Sequence, residues 1–404
     1  MYSIVISATA ALCLSVVLTR VCRDLFLRFG IVDSPDLIRK LHKRAVPRIG
    51  GVAIAASYLG AFALLLMLPL KGASMIRSHL GLVSHLIPAL LIVFAIGLVD
   101  DIRGLAPRWK LLGQTLASVC AWWMGVRIGA VAGHGIGEIW SLPVTVLWLL
   151  ACANAFNLID GLDGLASGVG LFATLTTLCA ALMHGDMELA LATAPLAGAL
   201  IGFLRYNFNP ASIFLGDCGS LSIGFLLGCY AVMWSQKSAT LLGMAAPAIV
   251  LAAPLVDTAL SIARRFIQHK PIFGADRGHL HHRLLDRGLT PRGAVTVLYC
   301  FCAVAAAVSL VQSAFNNHYS ALLMLGFCGA TWFAIRKLGY AELNAAGRIA
   351  DNRSAWREHA KTQASLINLQ QAIDGEGRGA DHGSVNVIND APAATATCSL
   401  PSSE

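Results

Sequence analysis

Charge is what this sequence has least of. Asp, Glu, Lys and Arg together make 13% of its 404 residues, against 56% hydrophobic ones. A soluble globular domain carries about 25% charged residues, so that class is excluded. Metal-type cysteine spacing is missing as well: of the 11 cysteines, none forms a CxxC or a Cys/His ligand pattern. Cys13, Cys120, Cys152, Cys179, Cys229 and Cys328 fall inside apolar runs, where a thiol packs as a small apolar side chain; Cys300 and Cys302 read the same way. No long soluble domain and no internal repeat breaks the chain.

What is present is a series of about eleven apolar segments of the length that crosses a bilayer core, roughly 17 to 25 residues. They fall near 2–20, 49–70, 86–100, 111–130, 142–158, 165–183, 189–204, 219–236, 240–262, 293–313 and 319–336. The third is short and ends on paired acids. The first lacks a basic start and runs into Arg20, so a retained helix is expected rather than a cleaved signal peptide.

Cytoplasmic loops hold the excess of Lys and Arg. Alternate connections, starting with residues 20–48, carry nineteen such residues, whereas the opposite set carries only Lys71, Arg77, Arg127 and Lys237. The expected fold is therefore an all-α polytopic integral membrane protein with its N-terminus outside and its C-terminus cytoplasmic. The formal charge of +8 is chiefly a topology signal, with phosphate binding as a second use, and no nucleic-acid partner is expected. Residues 1–336 form the transmembrane domain; 337–404 form a polar cytoplasmic tail, partly helical in RIADNRSAWREHAKTQASLINLQQAID and disordered beyond it.

The unusual polar clusters all fall on the cytoplasmic side of this topology. In DSPDLIRKLHKRAVPRIGG, residues 33–51, the basic run reads either as ordinary positive-inside flanking or as a platform for an anionic lipid or phosphate. In DDIRGLAPRWK, residues 100–110, Asp100 and Asp101 stand at the C-terminal end of a helix, where the dipole disfavours negative charge and the acids repel each other. Such a pair is either a solvated end partnered by Arg103 or a place for a divalent cation or a proton transfer. NAFNLIDGLDGLASG, residues 154–168, sets Asn154 and Asn157 a helical turn apart and follows them with Asp160 and Asp163; oxygen donors at this density suit a hard cation or a hydroxyl-rich ligand. RYNFNPASIFLGDCGSLSIG, residues 205–224, combines turn chemistry with Asp217 at the start of a span. In the segment 264–288, His279, His281 and His282 lie among arginines without the acidic or thiol partner of a zinc site, and suit pyrophosphate oxygens or sugar hydroxyls better.

The order of these motifs resembles the polyprenyl-phosphate N-acetylhexosamine-1-phosphate transferases, integral membrane enzymes that include the phospho-MurNAc-pentapeptide translocases. The likeness covers about residues 30–290 and, through the span count, extends to about Arg336. The resemblance implies transfer of a sugar-1-phosphate from a UDP-N-acetylhexosamine to polyprenyl (undecaprenyl) phosphate, with release of UMP and a need for magnesium, or manganese in its place. The site would lie in the cytoplasmic loops of the inner membrane, and the product would initiate an envelope glycan of the O-antigen, teichoic acid or exopolysaccharide type. A homodimer is a further expectation.

Carried over residue by residue, RKLHKRAVPRIGG is similar to the family's first basic loop, placing Arg39, Lys40 and His42 among the substrate-binding groups. Asp100 and Asp101 match its aspartate pair, one of which organises or deprotonates the lipid phosphate, and Lys110 matches a substrate-facing lysine. Asn157 and Asp217 resemble the groups that hold magnesium or pyrophosphate. Asn154, Asp160, Asp163 and Asn209 fall in substrate-binding motifs, and Asp217 joins the aspartate pair as a catalytic residue. HLHH, residues 279–282, looks like the loop of the GlcNAc-1-phosphate branch; Leu280 interrupts the consecutive histidines of the MurNAc-pentapeptide branch, which remains the alternative donor. An ion-coupled transporter is the alternative of another class, although its acids belong near the bilayer midplane. The DGxxAR signature of CDP-alcohol phosphotransferases is absent.

Overall fold

The computed structural model describes residues 1–33, 45–67, 71–131, 134–237, 246–267, 278–315 and 318–337. The apolar runs fold as helices: α1 Tyr2–Arg28, α2 Gly50–Met67, α3 Lys71–Arg103, α4 Pro107–Trp123, α5 Glu138–Ile159, α6 Leu165–Met183, α7 Met187–Asn207, α8 Gly216–Lys237, α9 Ala246–Ile267, α10 Leu280–Asp286, α11 Pro291–Phe315 and α12 His318–Lys337. Two antiparallel pairs join them, β1 Val32–Asp33 with β2 Val46–Pro47, and β3 Ala130–Val131 with β4 His134–Gly135. Among the described residues, seven helices are long and apolar enough to cross a membrane: α1, α2, α5, α6, α7, α8 and α11. The chain is an all-α, multi-pass membrane protein. The expected polar tail lies outside the described residues.

Two boundaries differ from the apolar pattern. The short third segment is the end of a helix of 33 residues, α3, which runs through Pro88. Hydropathy marks where the bilayer ends, not where the helix does, and proline is tolerated within membrane helices. α4 begins at Pro107 rather than near residue 111, because proline at the first helical position has its φ preset and no N–H to satisfy. That early start puts Lys110 on the first turn.

Small residues set how closely the helices approach, as in membrane bundles generally. A Cβ on Gly198 of α7 would stand 2.0 Å from the Ala8 carbonyl of α1, and the Ser15 hydroxyl donates to the Ala199 carbonyl at 2.7 Å. On α8, a Cβ on Gly224 would meet the Cys152 carbonyl of α5 at 2.5 Å. Tyr230 of α8 bonds the Tyr58 hydroxyl of α2 and donates to the Ala192 carbonyl of α7, each at 3.0 Å. Helix α8 is thus the central post, buried almost throughout, and the position of its first turn decides the site.

Candidate active site

Helix α8 starts in a crowded place. Gly216 has φ +74°, and a Cβ there would lie 2.0 Å from the Arg48 carbonyl and 2.7 Å from Asp101 Oδ2, so only glycine fits. The backbone before it is held by the segment leading into α2: Phe214 N–H donates to the Pro47 carbonyl at 2.7 Å, while Gly50 and Gly51 N–H donate to Phe214 and Leu215 carbonyls at 2.9 Å.

Asp101 closes the arrangement. Its Oδ1 accepts the Asp217 N–H at 2.8 Å and its Oδ2 accepts the Cys218 N–H at 2.9 Å. First-turn N–H groups have no partner within their own helix, and that end of the dipole favours negative charge. An acid disfavoured at the end of α3 is therefore stabilised by the start of α8, with the Arg48 guanidinium 3.5 Å from Oδ1. The Asp101 side chain is 0% exposed.

Asp100 faces the other way. Its Oδ1 accepts the Leu105 N–H at 2.6 Å, and its Oδ2 lies 2.8 Å from the Lys110 ammonium. Lys110 is shared, also donating to Asp217 Oδ2. The Asn157 amide donates to Asp217 Oδ1 and to the Ser220 hydroxyl, both at 3.0 Å. Asp100, Lys110 and Asp217 keep 11%, 20% and 15% of their side-chain surface open. Four elements, α3, α4, α5 and α8, thus bring two acids, an ammonium and a carboxamide together where solvent and a ligand reach them.

The remaining residues surround this group. Burial pushes the Asp160 carboxyl well above the ordinary carboxylate range; Asp217, Asp101 and Asp163 push the same way and Arg48 opposes them. Asp163 Oδ2 accepts from the Asn209 amide at 2.9 Å and from Ala211 N–H at 3.0 Å, so these two brace the FNPA turn. The structure does not bring Asn154 into the central group: its amide donates to Gln114 Oε1 at 2.6 Å and to the Leu150 carbonyl at 2.8 Å, tying α5 to α4. Arg39, Lys40 and His42 lie outside the described residues.

His279 precedes α10 and its Nδ1 is 2.9 Å from Asp257 Oδ2 of α9. His281 stacks parallel to it at 5.9 Å and lies 4.2 Å from His282 between ring centroids. Burial, with His282 adding to it, pushes the His281 imidazole down to about 3. Among the described residues its Nε2 has no hydrogen-bond partner, and it packs on Gly161, where a Cβ would stand 2.7 Å away. The histidine segment therefore docks on the Asp160 to Asp163 turn.

Sequence reasoning missed Ser220, Gln114 and Asp257. Gln114 is one helical turn beyond Lys110, and Asp257 is an acid within an apolar span, which by itself marks a functional candidate. The geometry also separates the acid pair. Replacing Asp101 by alanine leaves two N–H groups without their acceptor and is expected to cost about 2 kcal/mol of stability, read as a lowered melting temperature in detergent. Asparagine, which can accept only one of the two bonds, should fall between alanine and the natural residue.

Comparison with known proteins gives the family. The profile described as glycosyl transferase family 4 matches residues 83–235. The chain is 33% identical over 304 residues, 74% of its length and 82% of the relative's, to a probable undecaprenyl-phosphate N-acetylglucosaminyl 1-phosphate transferase of Bacillus subtilis. The chain belongs to glycosyl transferase family 4. It is also 32% identical over 330 residues, 75% of its length and 81% of the relative's, to the decaprenyl-phosphate N-acetylglucosaminephosphotransferase of Mycobacterium tuberculosis. A third relative is the undecaprenyl-phosphate alpha-N-acetylglucosaminyl 1-phosphate transferase of Thermotoga maritima, 32% identical over 67% of this chain and 78% of that one. In this family 4 protein the matched segment runs from α3 into α8 and holds Asp100, Asp101, Lys110, Asn157 and Asp217; HLHH and the first basic loop lie outside it.

Proposed function

We propose that this protein transfers N-acetylglucosamine-1-phosphate from UDP-N-acetylglucosamine to a polyprenyl phosphate such as undecaprenyl phosphate, releasing UMP. The observation that carries the reading is the Asp100, Lys110, Asp217 and Asn157 group at one end of an apolar bundle. The acceptor and sugar named for its relatives support it. About eleven spans, with the N-terminus outside and the tail cytoplasmic, would place this group at the inner face of the cytoplasmic membrane. There the prenyl chain stays in lipid while the nucleotide sugar arrives from water. Acids at helix ends also favour an enzyme over an ion-coupled transporter.

Magnesium suits these residues. Hard cations take oxygen ligands, and magnesium commonly keeps one or two carboxylates and completes its shell with substrate phosphates and water. Two carboxylates and a carboxamide converge here, and among the described residues no group of three His, Cys, Asp or Glu is placed to hold a metal unaided. Asp217 and Asn157 would hold the ion, with manganese as a substitute. When bound, it offsets charge on the diphosphate and on the departing UMP.

The side chains divide the remaining work. Lys110 offsets part of the charge on Asp100 and Asp217, which lessens their repulsion of the arriving phosphates. With Asp101 engaged by the α8 backbone, Asp100 is the member of the pair that meets the lipid phosphate. It organises that phosphate, which as a dianion barely needs a base. An acceptor oxygen then attacks the sugar-bound phosphorus and the bond to the UMP oxygen breaks. Asp163 and Asn209 keep the nucleotide-side turn in place.

Purified protein given undecaprenyl phosphate, magnesium and radiolabelled UDP-N-acetylglucosamine should move label into a lipid extract and release UMP. A screen with UDP-N-acetylgalactosamine and UDP-MurNAc-pentapeptide reads the sugar. Label that never enters lipid, with ion-coupled uptake into vesicles, would overturn the reading in favour of transport.

A further inference from the structure

Asp257 is an acid that the transfer mechanism does not use. It sits in α9, and both its side chain and the His279 imidazole it meets are 5% exposed. Its two oxygens have separate tasks. Oδ1 accepts the Leu280 N–H at 2.9 Å, the first N–H of α10, and Oδ2 lies 2.9 Å from His279 Nδ1. A backbone N–H can only donate, so Oδ1 must accept. Between a carboxyl and an imidazole the proton resides on the imidazole, ordinarily the stronger base. His279 therefore donates from Nδ1, and in a neutral ring the other nitrogen is then an acceptor.

We infer that Asp257 is a positioning residue that fixes His279 as its Nδ1–H tautomer, so that Nε2 accepts a hydrogen bond from a hydroxyl of the sugar nucleotide rather than contacting its diphosphate. The inference rests on the transferase reading. Phosphate oxygens bring no proton to a bare imidazole nitrogen, whereas the hydroxyls of a hexosamine or a ribose do. Placement agrees: His279 stacks parallel to His281, and His281 packs on Gly161 beside Asp160. The diphosphate has its own partners in Lys110 and the groups around Asp217.

Asp257→Asn isolates this role. The Asn oxygen can face only one of the two donors. Facing Leu280, it leaves its NH2 against Nδ1, and the ring satisfies it by moving its own proton to Nε2. Facing His279, it would set NH2 against a backbone N–H, which has no such freedom. The variant should therefore fold while its His279 tautomer inverts.

Two readouts test this on the full-length protein in detergent. In 15N-histidine spectra, with the His279 signals identified by their loss in His279→Gln, the natural protein should carry its proton on Nδ1 and Asp257→Asn on Nε2. In the lipid-transfer assay, Asp257→Asn should raise KM for UDP-N-acetylglucosamine about tenfold, the order lost when a buried polar group goes unpaired, with kcat and the KM for undecaprenyl phosphate little changed. A natural protein protonated only on Nε2 overturns the proposal, whether or not the variant folds. So does an inverted tautomer with an unchanged KM. Absence of transfer by the natural enzyme, with the Nδ1 proton in place, would instead overturn the transferase reading.

Discussion

Asp217→Asn is expected to lower lipid transfer on the order of a thousandfold, the scale of losing a principal electrostatic contact at a reacting centre, in protein that melts close to the natural temperature. The substitution keeps the shape, and the Asp217 and Cys218 N–H groups stay capped by Asp101. The negative charge at the start of α8 is lost. Lys110, now shared by two acids, would turn wholly to Asp100, and the oxygen pair that would hold magnesium loses its anionic member. Initial rates with labelled UDP-N-acetylglucosamine, alongside a melting curve, measure both effects. A folded Asp217→Asn protein with natural rates would remove Asp217 from the mechanism.

Gly97→Ala is expected to damage activity more than stability. Gly97 of α3 lies so near α8 that a Cβ would stand 2.5 Å from Cys218 Cα and 2.6 Å from its nitrogen. Gly51 of α2 presses from another side, its Cβ position 2.2 Å from the Gly219 nitrogen. The obstacles are backbone atoms and cannot rotate aside, so α8 must shift. Overpacking of this kind costs about 1–3 kcal/mol, but Asp217 moves with the helix, and a misplacement near 1 Å at a reacting centre costs about 100-fold in rate. Gly51→Ala should act likewise. Gly329→Ala in α12, where among the described residues no neighbouring atom lies within 4 Å of the added Cβ, is the control and should leave rate and melting point unchanged. Natural activity in Gly97→Ala would show that the start of α8 tolerates displacement.

The two substitutions bracket what could be read from the chain. Asp217 stands out in sequence because it begins an apolar span on the same side as the other aspartates. Gly97 does not, because a glycine within AIGLVDD is indistinguishable from the many others until the facing helix is known. The acid pair lies between these cases. Its unfavourable place at a helix end was visible, yet both members looked equally reactive, and the compensating N-terminus belongs to a segment 116 residues away. His279 was legible as part of a cluster, while its partner Asp257 is 22 residues off in an apolar run.

The one-dimensional pattern by itself determined the solvent and the class of chemistry: apolar runs of bilayer length, a lopsided distribution of Lys and Arg, and acids, amides and histidines gathered at span ends. Those properties depend on composition and spacing, which no folding alters. Only the tertiary structure decided which groups meet. It turned Asp101 into the cap of α8, set Lys110 between Asp100 and Asp217, drew Asn154 away toward Gln114 and paired Asp257 with His279. The physical reason is that a carboxylate's role is set by the donors within about 3 Å of its oxygens, and here those donors come from helices distant in sequence.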